Sequence, residues 1–153
     1  MKTSILKTVL SLVLVFTISS CSSDDDNTND SNSNQDIVEN TVESGTWRIT
    51  KFIDSGDDET SDYNGYTFTF NSDNTLVAVN GTNTHNGTWS ITDSNSGDDS
   101  LDDLHFNIFF ASPADFEELT DDWDMLSRTD TKIELVDISD GNGGTDYLTF
   151  EKN

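Results

Sequence analysis

Apolar and polar residues alternate along most of the chain between residues 44 and 153. The most regular run is Tyr-Thr-Phe-Thr-Phe at residues 66–70. A period of two predicts a β-strand that buries one face and exposes the other to water. Similar runs predict further strands at residues 47–51, 76–79, 87–91, 104–110, 125–129, 132–138 and 147–151.

Short segments rich in Asp, Gly and Asn separate these runs, and the segment at residues 71–74 is typical of a hairpin turn. Many short strands joined by tight turns favour an antiparallel meander, which either closes into a barrel or folds into a sandwich. Between these two, we predict an all-β fold: a small up-and-down antiparallel β-barrel of about eight strands with one short helix.

One helical segment interrupts the strands. Ser112 is a typical N-cap residue, Pro113 suits the first helical position, and a carboxylate follows three residues after the cap. Phe116 and Leu119 lie three residues apart and would face the sheet. We therefore predict a helix of about two turns at residues 113–119, closing one end of the barrel.

The first twenty residues have the layout of a secretory signal. Lys2 and Lys7 form a positively charged start, and the apolar run at residues 8–18 is too short to span a bilayer. A buried N-terminal helix is the alternative, but the polar composition of the sequence that follows argues against it. Residues 1–20 are therefore predicted to be a signal peptide.

The single cysteine of the chain, Cys21, follows Ile-Ser-Ser at residues 18–20. This sequence resembles the lipobox of bacterial lipoproteins, in which the signal is cut directly before the cysteine. The resemblance implies that fatty acids such as palmitate are attached to the thiol and to the new amino group of Cys21. A stable anchor needs more than one chain, because each buried methylene contributes only ~0.8 kcal/mol. A lone cysteine leaves no partner for a disulfide.

Residues 21–43 are rich in Ser, Asp, Asn and Thr and are predicted to be a disordered tether. Such a segment would reach roughly 25 Å by the ~5–6 Å × √n rule. Its start, Ser-Ser-Asp-Asp-Asp at residues 22–26, resembles the export tag of surface lipoproteins in Bacteroidetes-type bacteria; the alternative is a charged spacer. The tag implies a lipid-anchored protein of the outer membrane, displayed at the cell surface. Without the tag, the protein would face the periplasm.

The charge of the chain restricts its partners. Its 30 Asp and Glu residues against 7 Lys and Arg residues give a net charge of −23 at pH 7. Such a surface repels phosphate backbones, which argues against nucleic-acid binding. It also provides no basic attraction to anionic headgroups, so membrane contact is expected only through the anchor.

Several short motifs after the tether resemble the lipocalin family. Gly-Thr-Trp at residues 45–47 is similar to the Gly-x-Trp signature that opens lipocalins, and the same tripeptide recurs at residues 87–89. Together with the hairpin at 66–75 and the closing run at 147–152, the domain resembles the small lipocalin-like lipoproteins of Bacteroidetes-type bacteria. Trp47 is predicted to be a buried plug of the barrel.

Eight residues of the domain at 44–153 are predicted to point into the barrel: Ile49, Tyr66, Phe68, Leu76, Trp89, Phe106, Ile108 and Leu135. The lipocalin resemblance implies that they line a pocket for a small apolar ligand. The interior of an eight-stranded barrel is only just wide enough for side chains, so the same residues could also fill it. The protein is therefore predicted to be either a carrier of a small apolar molecule or a non-enzymatic interaction or structural module of the envelope.

Candidate chemistry is sparse. Asp140, Asn142 and Asp146 place oxygen atoms along a glycine-rich loop, which would suit Ca²⁺, but a plain hairpin loop is favoured because no bidentate Glu follows. His85 and His105 stand on different predicted elements, with His105 pointing outward, and they predict no zinc site. The sequence contains no nucleophile elbow. We therefore predict that the protein is not an enzyme and holds no cofactor.

Replacing Cys21 by alanine tests the anchor. Because the thiol is the expected attachment point, the Cys21→Ala variant should take up no radiolabelled palmitate in a bacterial host that acylates lipoproteins. Its precursor should stay uncleaved or leave the membrane fraction. The neighbouring Ser22→Ala variant serves as the matched control and should be labelled like the native protein. Unchanged labelling of Cys21→Ala would contradict the prediction.

Overall fold

The computed structural model describes residues 33–95, 100–139 and 144–153, so the predicted signal, Cys21 and most of the predicted tether lie outside it. Within these ranges are two α-helices, α1 (Asn34–Glu43) and α2 (Ala114–Glu117), and two 3₁₀ turns, Thr60–Tyr63 and Leu101–Asp103. Neither helix is long and apolar enough to cross a membrane. The strands are β1 (Trp47–Asp54), β2 (Asp57–Asp58), β3 (Thr67–Phe70), β4 (Thr75–Asn80), β5 (Asn83–Asp93), β6 (Leu104–Phe109), β7 (Asp121–Arg128), β8 (Lys132–Ser139) and β9 (Gly144–Lys152).

The described strands form one antiparallel sheet in the order β2-β1-β3-β4-β5-β6-β7-β8-β9. A further pairing of β1 with β9 joins the two sides of this sheet, from Trp47 opposite Lys152 to Ile53 opposite Tyr147. The short ribbon β2 pairs only with the end of β1 and lies outside the ring of eight. The prediction of an all-β, up-and-down barrel of about eight strands is confirmed.

Two β-bulges bend the barrel wall. The strand pairing shifts register between Ile49 and Lys51 in β1 and between Met125 and Ser127 in β7. A bulge inserts an extra residue into one strand, bends that strand and increases its twist. These bends help eight strands to curl around a narrow interior.

Side chains in β3 alternate across the sheet as the sequence pattern predicts. Phe68 and Phe70 are buried, whereas Thr67 and Thr69 are half-buried on the other face. The neighbouring strand keeps the same register, since Phe68 pairs with Ala78, another buried residue. A slip by one residue would turn the aromatic rings to water. The predicted assignment of the two faces is confirmed.

The sequence pattern places residues 34–43 in the tether, but these residues form α1, and this part of the prediction is wrong. Ser33 and Asp36 exchange hydrogen bonds in a capping box that begins the helix. Val38 and Val42, four residues apart, are fully buried in the same core as the barrel residues. The composition of this segment does not reveal these two buried residues, because a single apolar stripe on a polar helix leaves the average hydropathy low. The folded domain therefore begins before its predicted boundary.

The second helix lies within its predicted range, but it is shorter than the predicted two turns and begins differently. It covers Ala114–Glu117, with Pro113 in an extended conformation at the N-cap and no side-chain hydrogen bond at the cap. The prediction that Ser112 caps the helix and that Pro113 opens it is therefore wrong. Phe116 and Leu119 are both buried, as their spacing predicts.

The substitution Phe68→Ala tests the assignment of faces. It should lower the free energy of unfolding by about 3–5 kcal/mol, because a fully buried ring leaves a cavity behind. Thr67→Ala, one residue away and half-buried, should change the same quantity by less than about 1 kcal/mol. Urea titrations followed by tryptophan fluorescence measure both values. Equal losses in the two variants would show that the register is wrong.

Candidate functional site

Aromatic rings fill the middle of the barrel. The ring centroid of Phe70 lies 5.5 Å from that of Trp89, 5.5 Å from that of Phe106 and 5.4 Å from that of Phe150, always edge to face. Phe68 packs against Phe150 in the same way at 5.5 Å. These rings come from β3, β5, β6 and β9, so they meet from different walls. Packing of this kind has the density of a protein core.

Helix α2 closes one end of the barrel. The ring centroid of Phe116 lies 5.0 Å from that of Phe110 and 4.4 Å from that of His85. Tyr63, in the 3₁₀ turn that precedes β3, donates a hydrogen bond from its hydroxyl to the backbone carbonyl of Asp115. Burial raises the pKa of Tyr63, so its hydroxyl remains a donor. Ring contacts and this hydrogen bond hold the helix in place.

Helix α1 covers the end of the barrel at which β1 begins. Trp47, the predicted plug, is fully buried there, and its Nε1 donates a hydrogen bond to the carbonyl of Val42 at 2.8 Å. Nζ of Lys152 lies 5.1 Å from the centroid of the Trp47 ring. Nε2 of Gln35 donates to the carbonyl of Ile91 at 3.2 Å, which ties the start of the helix to β5. Both ends of the barrel are therefore covered.

The residues predicted to point inward pack against one another in the hydrophobic core. Tyr66 is only partly buried, just before β3, and its hydroxyl lies 3.1 Å from Nε2 of His85. The other predicted residues join one continuous core. The buried members of the predicted set are Ile49, Phe68, Leu76, Trp89, Phe106, Ile108 and Leu135.

Gly87 shows how closely the interior is packed. A β-carbon built at Gly87 would lie 2.4 Å from the carbonyl oxygen of Phe109 and 2.8 Å from the ring of Phe110. Gly87 pairs with Leu76, a buried residue, and therefore faces inward. Its missing side chain leaves room for the Phe110 ring. The second Gly-Thr-Trp motif of the sequence thus serves the packing of the interior.

Two grooves lie on the outside of the barrel. One, of about 200 Å³, runs beside α1 and is bordered by residues that include Ile37 and Lys152. The other, of about 470 Å³, is bordered by residues that include Phe109, Glu117 and Thr120. Both open to solvent, so a molecule held in either would bind at the surface of the barrel.

The outer faces of β3, β4, β5 and β6 form a surface without Asp, Glu, Lys or Arg, which we name the neutral face. Threonine, serine and asparagine predominate on it, and Phe109 is 53% exposed. In a chain with a net charge of −23, this surface stands apart. The outward positions, from the pairing registers, are Thr67, Thr69, Thr75, Val77, Val79, Thr84, Asn86, Thr88, Ser90, Thr92, His105, Asn107 and Phe109.

Sequence reasoning missed the neutral face. Its signal is present in the alternating runs, because their polar positions at 67–69 and 84–92 hold Thr, Asn and Ser instead of carboxylates. The sequence does not show that these strands are neighbours. Adjacency in the sheet turns several uncharged strand faces into one surface.

Charged side chains occupy the other half of the barrel. Arg48 pairs with Glu151 at 3.1 Å, and Lys132 forms an ion pair with Glu134. Exposed pairs of this kind contribute only about 0–1 kcal/mol each to stability, so their main effect is on surface charge. The Lys and Arg residues of the described ranges all belong to β1, β7, β8 or β9: Arg48, Lys51, Arg128, Lys132 and Lys152.

Three carboxylates meet at the α2 end of the barrel. Oxygen atoms of Asp54, Glu59 and Glu118 lie within 4.8 Å of one another. A hydrogen bond shared with Glu118, loss of hydration, and repulsion from Glu118 and Asp54 raise the pKa of Glu59 to about 7. Near neutral pH, the Glu59 carboxyl is therefore protonated in a substantial fraction of the folded molecules. Sequence reasoning missed the approach of Glu118 to Asp54 and Glu59, because Glu118 directly follows α2, far along the chain from the other two residues.

The two histidines point to opposite sides of the sheet. His105 points outward from β6, as predicted, and its Nδ1 lies 3.1 Å from a carboxylate oxygen of Asp124. His85 points into the α2 end, where its ring lies against those of Phe116 and Tyr66. The structure therefore does not bring the histidines together.

The calcium expectation stays a prediction. Asp140 and Asn142 lie outside the described residues. Asp146 belongs to β9, and its carboxylate accepts a hydrogen bond from the backbone N–H of Ser55 at 2.7 Å. This contact ties the start of β9 to the turn after β1.

The substitution Glu59→Gln tests the raised pKa of Glu59. The pKa of Glu59 is about 7 in the folded protein, against 4.5 for an ordinary glutamate, so folding favours its protonated form. The stability contributed by this group is therefore complete below about pH 4.5 and is lost as the pH rises towards 7. Glutamine cannot ionise, so the variant should show a smaller fall in melting temperature across this pH range.

Asp130→Asn removes one charge from the loop between β7 and β8 and is the matched control for that experiment. It should leave the shape of the curve of melting temperature against pH as in the native protein. Thermal unfolding followed by circular dichroism provides the curves. A fall in melting temperature in Glu59→Gln as large as in the native protein would contradict the raised pKa of Glu59.

This chain resembles known proteins in structure rather than in sequence. No protein-family model and no curated protein matches it. Among solved structures, it is similar to the crystal structure of a DUF4847 family protein from Bacteroides vulgatus ATCC 8482, with 19% sequence identity and a TM-score of 0.48. The match covers 76% of this chain and 97% of that chain. From a likeness of this strength we draw no conclusion about family or function.

Proposed function

We propose that this protein is a lipid-anchored envelope protein whose closed barrel acts as a non-enzymatic interaction module. The observation that carries the proposal is the filled interior. Rings around Phe70 occupy the middle of the barrel, and Val42 of α1 and Phe116 of α2 are buried at its two ends. A barrel of this build offers its outer faces, and not an internal pocket, to other molecules.

A carrier of a small apolar molecule is the competing function. Such a carrier needs an apolar pocket of roughly 300–1,000 Å³. Here Phe68 and Leu76, which were predicted to line the pocket, are fully buried in a common core. Opening a space would separate edge-to-face rings, and each ring pair contributes about 0.5–1.5 kcal/mol beyond its burial. This cost favours the interaction module over the carrier.

The proposal assigns no chemical reaction to the barrel. Its interior holds apolar rings, whereas an enzyme of this fold would place reacting groups in a space shielded from water. The ring of His85, at the α2 end, packs against Phe116, and its Nε2 lies 3.1 Å from the hydroxyl of Tyr66. These contacts give His85 a role in packing at the edge of the core.

The membrane attachment in this proposal rests on the lipobox resemblance at Cys21. Because α1 belongs to the folded domain, the predicted tether shortens to residues 22–33 and would reach roughly 19 Å by the ~5–6 Å × √n rule. The acidic run at residues 22–26 favours display at the cell surface, with the periplasmic side of the outer membrane as the alternative.

Native mass spectrometry of the purified protein tests the filled barrel. The expected spectrum shows the chain without a co-purified apolar molecule. Added fatty acid at micromolar concentrations should neither bind nor raise the melting temperature, because a ligand stabilises a protein only through a site in its native state.

The substitution Phe70→Ala supplies the positive control. It removes the ring between Trp89, Phe106 and Phe150 and leaves an apolar cavity of the kind that binds benzene. Benzene should therefore raise the melting temperature of Phe70→Ala and leave that of the native protein unchanged. A stoichiometric apolar molecule bound to the native protein would overturn the proposal in favour of the carrier.

A further inference from the structure

We propose that the neutral face binds an uncharged polysaccharide chain. The inference rests on the proposed function, because it names the partner of a module that works through its outer surface. Three features of this face carry it. The face has no charge, its hydrogen-bonding groups are exposed, and an exposed aromatic ring stands beside them.

The charge distribution of the protein selects an uncharged partner. A cationic partner would be drawn to the carboxylates elsewhere, such as the cluster of Asp54, Glu59 and Glu118. An anionic partner would be drawn to the lysines and arginines on β1, β7, β8 and β9, and repelled by the net charge of −23. An uncharged partner gains no electrostatic attraction from the carboxylates or from the lysines and arginines. The neutral face offers such a partner hydrogen bonds from the uncharged side chains of Thr, Ser and Asn.

Three polar side chains in the middle of the neutral face are available for binding. Thr84, Asn86 and Thr88 are exposed at alternate positions of β5. Within the described part of the chain, the side chains of these three residues make no hydrogen bond. A threonine hydroxyl donates and accepts, and an asparagine amide offers both functions as well. Sugar hydroxyls also donate and accept, so this row matches them without a fixed charge.

Phe109 adds a surface on which a sugar ring can stack. Its side chain is 53% exposed and stands opposite Thr88 in the pairing of β5 with β6, so the ring adjoins the polar row. The groove of about 470 Å³ at this point is also bordered by Glu117 and Thr120. Covering the ring with the C–H face of a sugar removes apolar surface from water. The carboxylate of Glu117 can accept hydrogen bonds from the hydroxyls of the same sugar.

The shape of the neutral face favours a chain over a single sugar. Outward side chains form rows across hydrogen-bonded strands, as in the row of Thr69, Val77 and Asn86. Neighbouring strands lie ~4.7–4.9 Å apart, so a row across four strands extends about 15 Å. A surface of this length contacts several units of an extended polymer.

A second copy of this chain is a poorer partner for the same face. Docking two copies would bring together two net charges of −23. A large net charge of one sign opposes self-association. An uncharged polysaccharide meets no such repulsion. The experiment below also measures self-association as an alternative outcome.

Native gel electrophoresis with polysaccharide in the gel tests the proposal on the full mature chain. The strongly charged protein migrates readily, and dextran, galactomannan or laminarin should retard it, whereas dextran sulfate should not. Phe109→Ala and the double variant Asn86→Ala/Thr88→Ala should weaken the retardation by about two- to tenfold, the size expected for the loss of one ring contact or of one or two hydrogen bonds. These substitutions leave the net charge unchanged.

Leu126→Ala and Ile138→Ala are the matched controls, because both residues are large, exposed and outside the neutral face. They should be retarded like the native protein, and circular dichroism verifies that every variant is folded. Absence of retardation in all three neutral polysaccharides, or equal losses in the control variants, would overturn the proposal. A dimer in sedimentation equilibrium that Phe109→Ala dissociates would assign the face to a second copy instead. An apolar molecule found by native mass spectrometry would refute the interaction module, independently of the gel result.

Discussion

Hydrogen bonds between β1 and β9 join the first and last long strands and convert the sheet into a closed barrel. The interior of an eight-stranded barrel either is filled by side chains or holds one small ligand. In this barrel, Phe68 and Phe70 contact rings from other strands. Because the middle is packed, the two ends need only short covers, which α1 and α2 supply. This packing is the basis of the proposal that the protein acts through its outer surface.

Closure also permits an unusual division of that surface. A closed sheet has no long free edge, so uncharged strands do not expose a template for edge-to-edge association. The neutral face can remain rich in Thr, Ser and Asn while carboxylates elsewhere keep the net charge at −23. Charge of one sign over the rest of the molecule maintains solubility. One part of the barrel surface can therefore lack charged side chains without promoting self-association of the protein.

Prediction from the sequence succeeded where burial follows a local period. The run at 66–70 alternates in the structure as it does in the sequence, and the buried Phe116 and Leu119 lie where the spacing places them. The same reasoning failed at α1, because Val38 and Val42 are buried only by the end of the barrel, which is formed by residues far along the chain. It also missed the pairing of Glu59 with Glu118, which stand on separate elements.

The sequence by itself determined the strands, the short helix after Pro113 and the position of the single cysteine behind an apolar run, because each depends on residues close together in the chain. The tertiary structure decided that aromatic rings from different strands meet in the middle of the barrel, that α1 covers one end, and that the uncharged strands lie side by side. These properties depend on contacts between residues distant in sequence. Such contacts set the burial of residues, the pKa of Glu59 and the composition of a surface, and a local pattern of apolar and polar residues does not encode them.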